Sequence, residues 1–93
     1  MNKNQYFELQ EDIQKGEVVK TIQTLNKILF SEKKDLDKIH YLLGNAYRKL
    51  GNWQQAINHY QYAIDINPNS PASAAKAMII DIMDFYNKDM FNQ

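Results

Sequence analysis

The chain has 93 residues, 44% of them hydrophobic and 12% aromatic, which supplies apolar area for one core and too little length for two. Its 11 basic and 11 acidic side chains cancel, so no broad positive field is expected to attract nucleic acid or an anionic membrane. The absence of cysteine excludes a disulfide framework, a thiolate metal site and a cysteine nucleophile.

Helical periodicity begins close to the start of the chain. Apolar residues recur at helical spacing over residues 4–15 and again over 17–30, and Gly16 between them predicts the turn of a first antiparallel hairpin. A polar segment follows, in which Asp35 or Asp37 is expected to accept backbone N–H groups at the start of a third helix.

The third and fourth helices are predicted at residues 36–50 and 53–66. Gly51 is expected to end the third helix, and Asn52 with Gln55 three residues later resembles a capping box at the start of the fourth. These signals predict a second tight hairpin.

A fifth helix is predicted at residues 71–88. Pro68 ends the fourth helix, because proline lacks a backbone donor and restricts the residue before it. Ser70 is expected to cap the fifth helix, with Pro71 at its first position. No apolar run in the chain has the length of a signal peptide or a membrane span, so we expect a cytoplasmic protein without membrane contact.

The two hairpins repeat one another. Their first helices align with an offset of 34 residues and their second helices with an offset of 35, so the first turn is expected to be one residue shorter. Self-similarity at this period predicts stacked helical repeats, each of which buries its apolar face on the next.

Residues 37–70 resemble a tetratricopeptide repeat. The third predicted helix matches the W-x2-L-G-x2-Y block of that repeat, with histidine in place of tryptophan. The fourth matches the small and aromatic positions of the repeat's second helix, and the proline that follows it also matches. The small residues stand where the two helices cross closely, and tyrosines fill the space beside them. The matching residues are His40, Leu43, Gly44, Tyr47, Ala56, Tyr60, Ala63 and Pro68.

The resemblance extends over the whole chain, which is similar to small, single-domain bacterial tetratricopeptide proteins. It implies an all-α fold in one domain: a superhelical stack of two antiparallel helix hairpins plus a C-terminal capping helix. Residues 1–33 would form a degenerate repeat, residues 37–70 a well-matched repeat, and residues 71–93 the capping helix.

The resemblance also implies a noncatalytic module that binds a protein or peptide. In this family the first helices of successive hairpins line a concave groove, which suggests a set of candidate peptide-binding residues. A terminal-carboxylate clamp known in part of the family is not expected, because only Lys76 approximates its pattern. The candidate residues are Lys38, Tyr41, Leu42, Asn45, Arg48, Lys49 and Lys76.

No catalytic residue, metal ligand or cofactor is expected. His40 and His59 lie on different helices without a nearby cysteine or acidic residue at ligand spacing, so we interpret them as packed or partly exposed side chains. The paired carboxylates have no activated nucleophile or phosphate-binding loop near them and are interpreted as caps and solvated faces.

Two alternatives to groove binding remain. The fifth helix is apolar around most of its circumference, with Ile80 and Phe91 in excess of what one hairpin covers, so it is a candidate surface for a partner or for a homodimer. A nucleic-acid-binding patch is the other alternative, although the neutral net charge opposes it; its residues would be Lys33, Lys34, Lys38, Arg48 and Lys49.

Overall fold

The structure, a computed structural model, describes residues 1–91, with side chains to residue 86. Over these residues the chain forms five α-helices and no strand. This confirms the predicted all-α fold, and each helix begins and ends within a few residues of its predicted bounds. The helices are α1 (Lys3–Lys15), α2 (Val18–Ser31), α3 (Leu36–Lys49), α4 (Trp53–Ile66) and α5 (Ala72–Phe91).

Both hairpins turn at a glycine in the left-handed region. Gly51 has φ 79°, its N–H bonds the carbonyl of Arg48 at 3.0 Å, and the Asn52 N–H bonds the carbonyl of Tyr47 at 2.9 Å. These two bonds form a Schellman motif, which satisfies the last carbonyls of α3. Gly16 makes the same motif after α1, with φ 95°, and the turn there is one residue shorter, as predicted.

The predicted capping box forms only in part. The side chain of Asn52 accepts a hydrogen bond from the backbone N–H of Gln55 at 3.2 Å, which confirms Asn52 as the N-cap of α4. The second bond of a capping box would join the backbone N–H of Asn52 to the side chain of Gln55, but that N–H is bonded to the carbonyl of Tyr47 instead. Ser70 accepts from the Ala72 N–H at 3.1 Å and caps α5 as predicted.

The cap predicted for α3 was wrong. Asp35 adopts the left-handed conformation, with φ 59°, and its side chain accepts no backbone N–H; its carbonyl receives those of Lys38 and Ile39 instead. A short polar side chain tolerates this conformation. Asp37 does not cap the helix either: its carboxylate accepts a hydrogen bond from the side chain of Asn67 at 3.1 Å.

Two clusters of buried side chains form the core, and α3 contributes to both. One cluster lies between α1, α2 and α3, with Leu25, Ile39 and Leu43 fully buried. The other lies between α4 and α5, centred on Tyr60, and Tyr47 of α3 packs against both clusters. The hairpins therefore stack through α3. The division of the chain into a degenerate repeat, a full repeat and a cap is consistent with this arrangement but stays a prediction.

The terminal helix exposes more apolar surface than the sequence predicted. Ile80 is 38% exposed, and Met78, Phe85 and Tyr86 are 51%, 70% and 67% exposed, because α4 covers only one stripe of α5. The side chain of Phe91 lies outside the described residues.

Candidate protein-interaction groove

A groove runs between α1 and α3 and contains two concavities. The first, here called the Arg48 concavity, has a volume of about 540 Å³ and lies at the C-terminal halves of both helices. Trp53 at the start of α4 also lines it. Its lining residues are Gln10, Ile13, Gln14, Tyr41, Asn45, Arg48, Lys49 and Trp53.

The second, the Lys38 concavity, has a volume of about 470 Å³ and lies at the N-terminal halves of the same helices. The segment between α4 and α5 forms one wall. Tyr41 lines both concavities and marks the point where they adjoin. The lining residues are Met1, Asn2, Lys3, Tyr6, Phe7, Asp37, Lys38, Tyr41, Asn67, Ser70 and Pro71.

The structure brings five of the seven candidate residues to this groove. Tyr41, Asn45, Arg48 and Lys49 line the Arg48 concavity, and Lys38 lines the other together with Tyr41. Their shared position follows from the helical spacing of α3.

The other two candidates lie elsewhere. Leu42 was placed on the groove wrongly, since it is fully buried in the cluster between α1, α2 and α3. Lys76 lines neither concavity, and its ammonium group donates a hydrogen bond to the side chain of Gln61 across the contact between α5 and α4.

Asn45 and Arg48 each form a hydrogen bond with a side chain of a neighbouring helix, Asn45 with the fully buried Tyr60 of α4 and Arg48 with the half-exposed Met78 of α5. The hydroxyl of Tyr60 donates to the side-chain oxygen of Asn45, and burial raises the pKa of Tyr60 to about 12, so the phenol stays protonated as the donor. The Arg48 guanidinium donates to the sulfur of Met78 at 3.3 Å. The amide nitrogen of Asn45 remains as a donor at the groove.

Tyr6 and Tyr41 both line the Lys38 concavity. Burial raises the pKa of Tyr6, with smaller contributions from Tyr41 and Asp37. The hydroxyl of Tyr6 therefore stays protonated at physiological pH and can donate a hydrogen bond, and the ring of the same side chain offers apolar surface for packing.

Sequence reasoning missed Gln10, Gln14 and Trp53 as groove residues. The signal for the two glutamines was present, because they follow Tyr6 at spacings of four residues along one face of α1. Trp53 gave no such signal, since its place beside the groove depends on the turn at Gly51 and on the packing of α4.

The two histidines lie together on α3 and α4. Their Nδ1 atoms are 3.0 Å apart, and the His59 ring stacks on Tyr47 with centroids 5.4 Å apart and planes 7° from parallel. Burial, and secondarily the neighbouring His40, lowers the pKa of His59 to about 4; burial also lowers that of His40. Both rings are neutral at pH 7, one donating to the other.

The basic residues of the alternative nucleic-acid patch are spread along α3. Lys33 and Lys34 precede the helix, Lys38 lies in its first half, and Arg48 and Lys49 lie in its last turn. In the part of the chain that the structure describes, no three histidine or acidic side chains gather as a metal site, and no helix has the length and hydropathy of a membrane span.

Antiparallel helix pairs that stack through a shared helix, with a groove along their first helices, define an α-helical repeat protein. The family model of the tetratricopeptide repeat matches residues 37–70, so this segment of the chain is a tetratricopeptide repeat. A repeat of this kind suggests a protein–protein interaction module, because such domains generally bind protein partners and are generally noncatalytic.

A solved structure supports the fold over the full length. The chain is similar to Bacteroides fragilis protein BF1650, determined by solution NMR, with 47% identity and a TM-score of 0.85. The match covers 100% of this chain and 92% of that one. Among curated proteins, none matches the chain.

Proposed function

We propose that the chain binds an extended segment of a partner protein in the groove between α1 and α3. The observation that carries the proposal is the pair of adjoining concavities, about 540 and 470 Å³, that share Tyr41. Together they extend along the first helices of the two hairpins, and Tyr41 contributes to both.

The lining chemistry suits a peptide backbone. The side-chain amides of Gln10 and Gln14 supply both donors and acceptors, and Asn45 supplies a donor; these groups match the alternating C=O and N–H groups of an extended chain. Tyr41 and Trp53 add rigid aromatic surface that loses little conformational entropy on binding.

Site-specific photo-crosslinking in the native cell tests the proposal. A photoreactive amino acid at Gln14, which is exposed beside the Arg48 concavity, is expected to give a covalent adduct with a partner protein. The same group at exposed Lys27 on α2 is the matched control and is expected to give none. Tyr41→Ala should reduce the adduct at Gln14 while the circular dichroism spectrum stays helical.

A second candidate function is association through α5, either with a partner or with another copy of the chain. The exposed side chains of Met78, Phe85 and Tyr86 favour it, since adjoining exposed apolar groups mark interaction surfaces. A photo-crosslinked adduct that forms with the photoreactive amino acid at position 85 but not at position 14 would contradict binding in the groove and favour binding through α5. Light scattering on wild type and Phe85→Glu separates the two forms of association, because only a homodimer would halve its mass in the variant.

A further inference from the structure

The groove carries a charge that the chain as a whole lacks. The protein is formally neutral, yet the two concavities are lined by the cations Lys3, Lys38, Arg48 and Lys49 and by the carboxylate of Asp37 alone. The positive charge is therefore local to the surface where a peptide is proposed to bind.

Internal partners leave this charge largely uncompensated. The carboxylate of Asp37 accepts a hydrogen bond from Asn67, and Lys38 makes only a long contact of 3.8 Å with Asp35 while its side chain is 58% exposed. Among the side chains that the structure describes, no carboxylate forms an ion pair with Arg48 or Lys49.

The cations stand at the two ends of the groove. Lys38 and Lys49 are separated by eleven positions on one helix, a rise of roughly 16 Å. An extended peptide spans that distance in about five residues. Between the ends, the lining residues Tyr41 and Asn45 of α3 are uncharged.

Resting on the groove function above, we propose that the occupant is an acidic internal segment. It carries two Asp or Glu side chains about five residues apart. One carboxylate contacts Arg48 and Lys49, and the other contacts Lys38 and Lys3. Side chains within the segment supply the carboxylates, because a single chain terminus meets only one end of the groove.

Selection from a random dodecapeptide library on the wild-type protein tests the inference. The selected peptides are synthesised with acetylated and amidated ends, their affinities are measured by fluorescence anisotropy, and their site is mapped by NMR chemical shifts. We expect enrichment of paired acidic residues at the stated spacing and weaker binding as salt rises from about 50 to about 500 mM.

Matched variants isolate the charges. Lys38→Gln/Lys49→Gln should weaken binding about tenfold, and replacing both acidic residues of the peptide with glutamine should weaken it by a similar factor. Lys20→Gln, which removes the same charge from the exposed face of α2, should leave the affinity unchanged.

Three results would overturn the inference while the groove function stands: groove-binding peptides without acidic enrichment, an affinity unchanged by Lys38→Gln/Lys49→Gln, or a requirement for a free C-terminal carboxylate. Peptides that shift resonances of α2 or α5 instead of the groove, or a selection that yields none, would overturn both proposals.

Discussion

Gly44 has no space for a side chain, because the ring of Tyr60 lies where its Cβ would be placed. In an open helix, alanine is about 1 kcal/mol more favourable than glycine. Here Tyr60 is fully buried and its hydroxyl is held by Asn45, so the ring has no free direction in which to move.

We therefore expect Gly44→Ala to lower the free energy of unfolding by about 1 to 3 kcal/mol, and Gly44→Leu or Ala56→Leu by at least as much. Urea denaturation followed by circular dichroism measures the change. Gln23→Ala on the exposed face of α2 is the control, expected within about 0.5 kcal/mol of wild type. A Gly44→Ala midpoint equal to wild type would show that the helices cross elsewhere.

The histidine pair makes stability depend on pH. The pKa of His59 is lowered from 6.5 to about 4 in the folded chain. The stability that depends on the neutral His59 ring is therefore fully present above about pH 6.5. Below that pH the unfolded chain takes up a proton that the folded chain excludes, and stability falls until the pH approaches about 4.

We expect a lower Tm at about pH 5 than at about pH 7, and a smaller difference in His59→Gln, which removes the titrating ring. Differential scanning calorimetry of both proteins at the two pH values measures this. An equal loss of Tm in the two proteins would assign the pH dependence to other groups.

At the scale of the elements, α3 and α4 begin in different ways. Asn52 caps α4 through its side chain, whereas the side chain of Asp35 makes no cap hydrogen bond for α3. A side-chain cap contributes about 1 kcal/mol, and an exposed ion pair such as that of Asp35 with Lys38 contributes less.

Asn52→Ala is therefore expected to cost about 1 kcal/mol, and Asp35→Asn, which keeps a residue tolerant of positive φ, less than about 0.5 kcal/mol. Urea midpoints compare the two variants. If Asp35→Asn were the more damaging, its carboxylate would have a structural role beyond its weak contact with Lys38.

For the whole molecule, α5 is the outermost layer of the stack. Ala72 and Ile79 cover the cluster around Tyr60 and Ala63, so deletion of residues 71–93 would expose that apolar face of α4. Because a repeat protein is stabilised by contacts between neighbouring elements, we expect the shortened chain to aggregate or to lose its fixed tertiary packing.

Light scattering and near-UV circular dichroism measure this outcome. Removal of residues 90–93 alone is the control, and we expect it to change stability less. A soluble 1–70 chain that melts cooperatively would refute the capping role of α5.

The sequence by itself determined the helices and their turns. Helical spacing, two glycines and two prolines predicted five elements, with α4 at residues 53–66 in both prediction and structure. These signals are local: a Schellman glycine or an N-cap asparagine acts within one turn, so a neighbouring helix is not needed to specify it.

Tertiary packing decided which side chains reach the groove. Tyr41 and Leu42 are adjacent on a helix covered on more than one side, so their spacing alone did not tell which would be buried. The contact of His40 with His59 arises only when α3 and α4 pair, and Phe85 is exposed because α4 covers a single face of α5. Burial depends on how many neighbours a helix has, and that number is a property of the assembled stack.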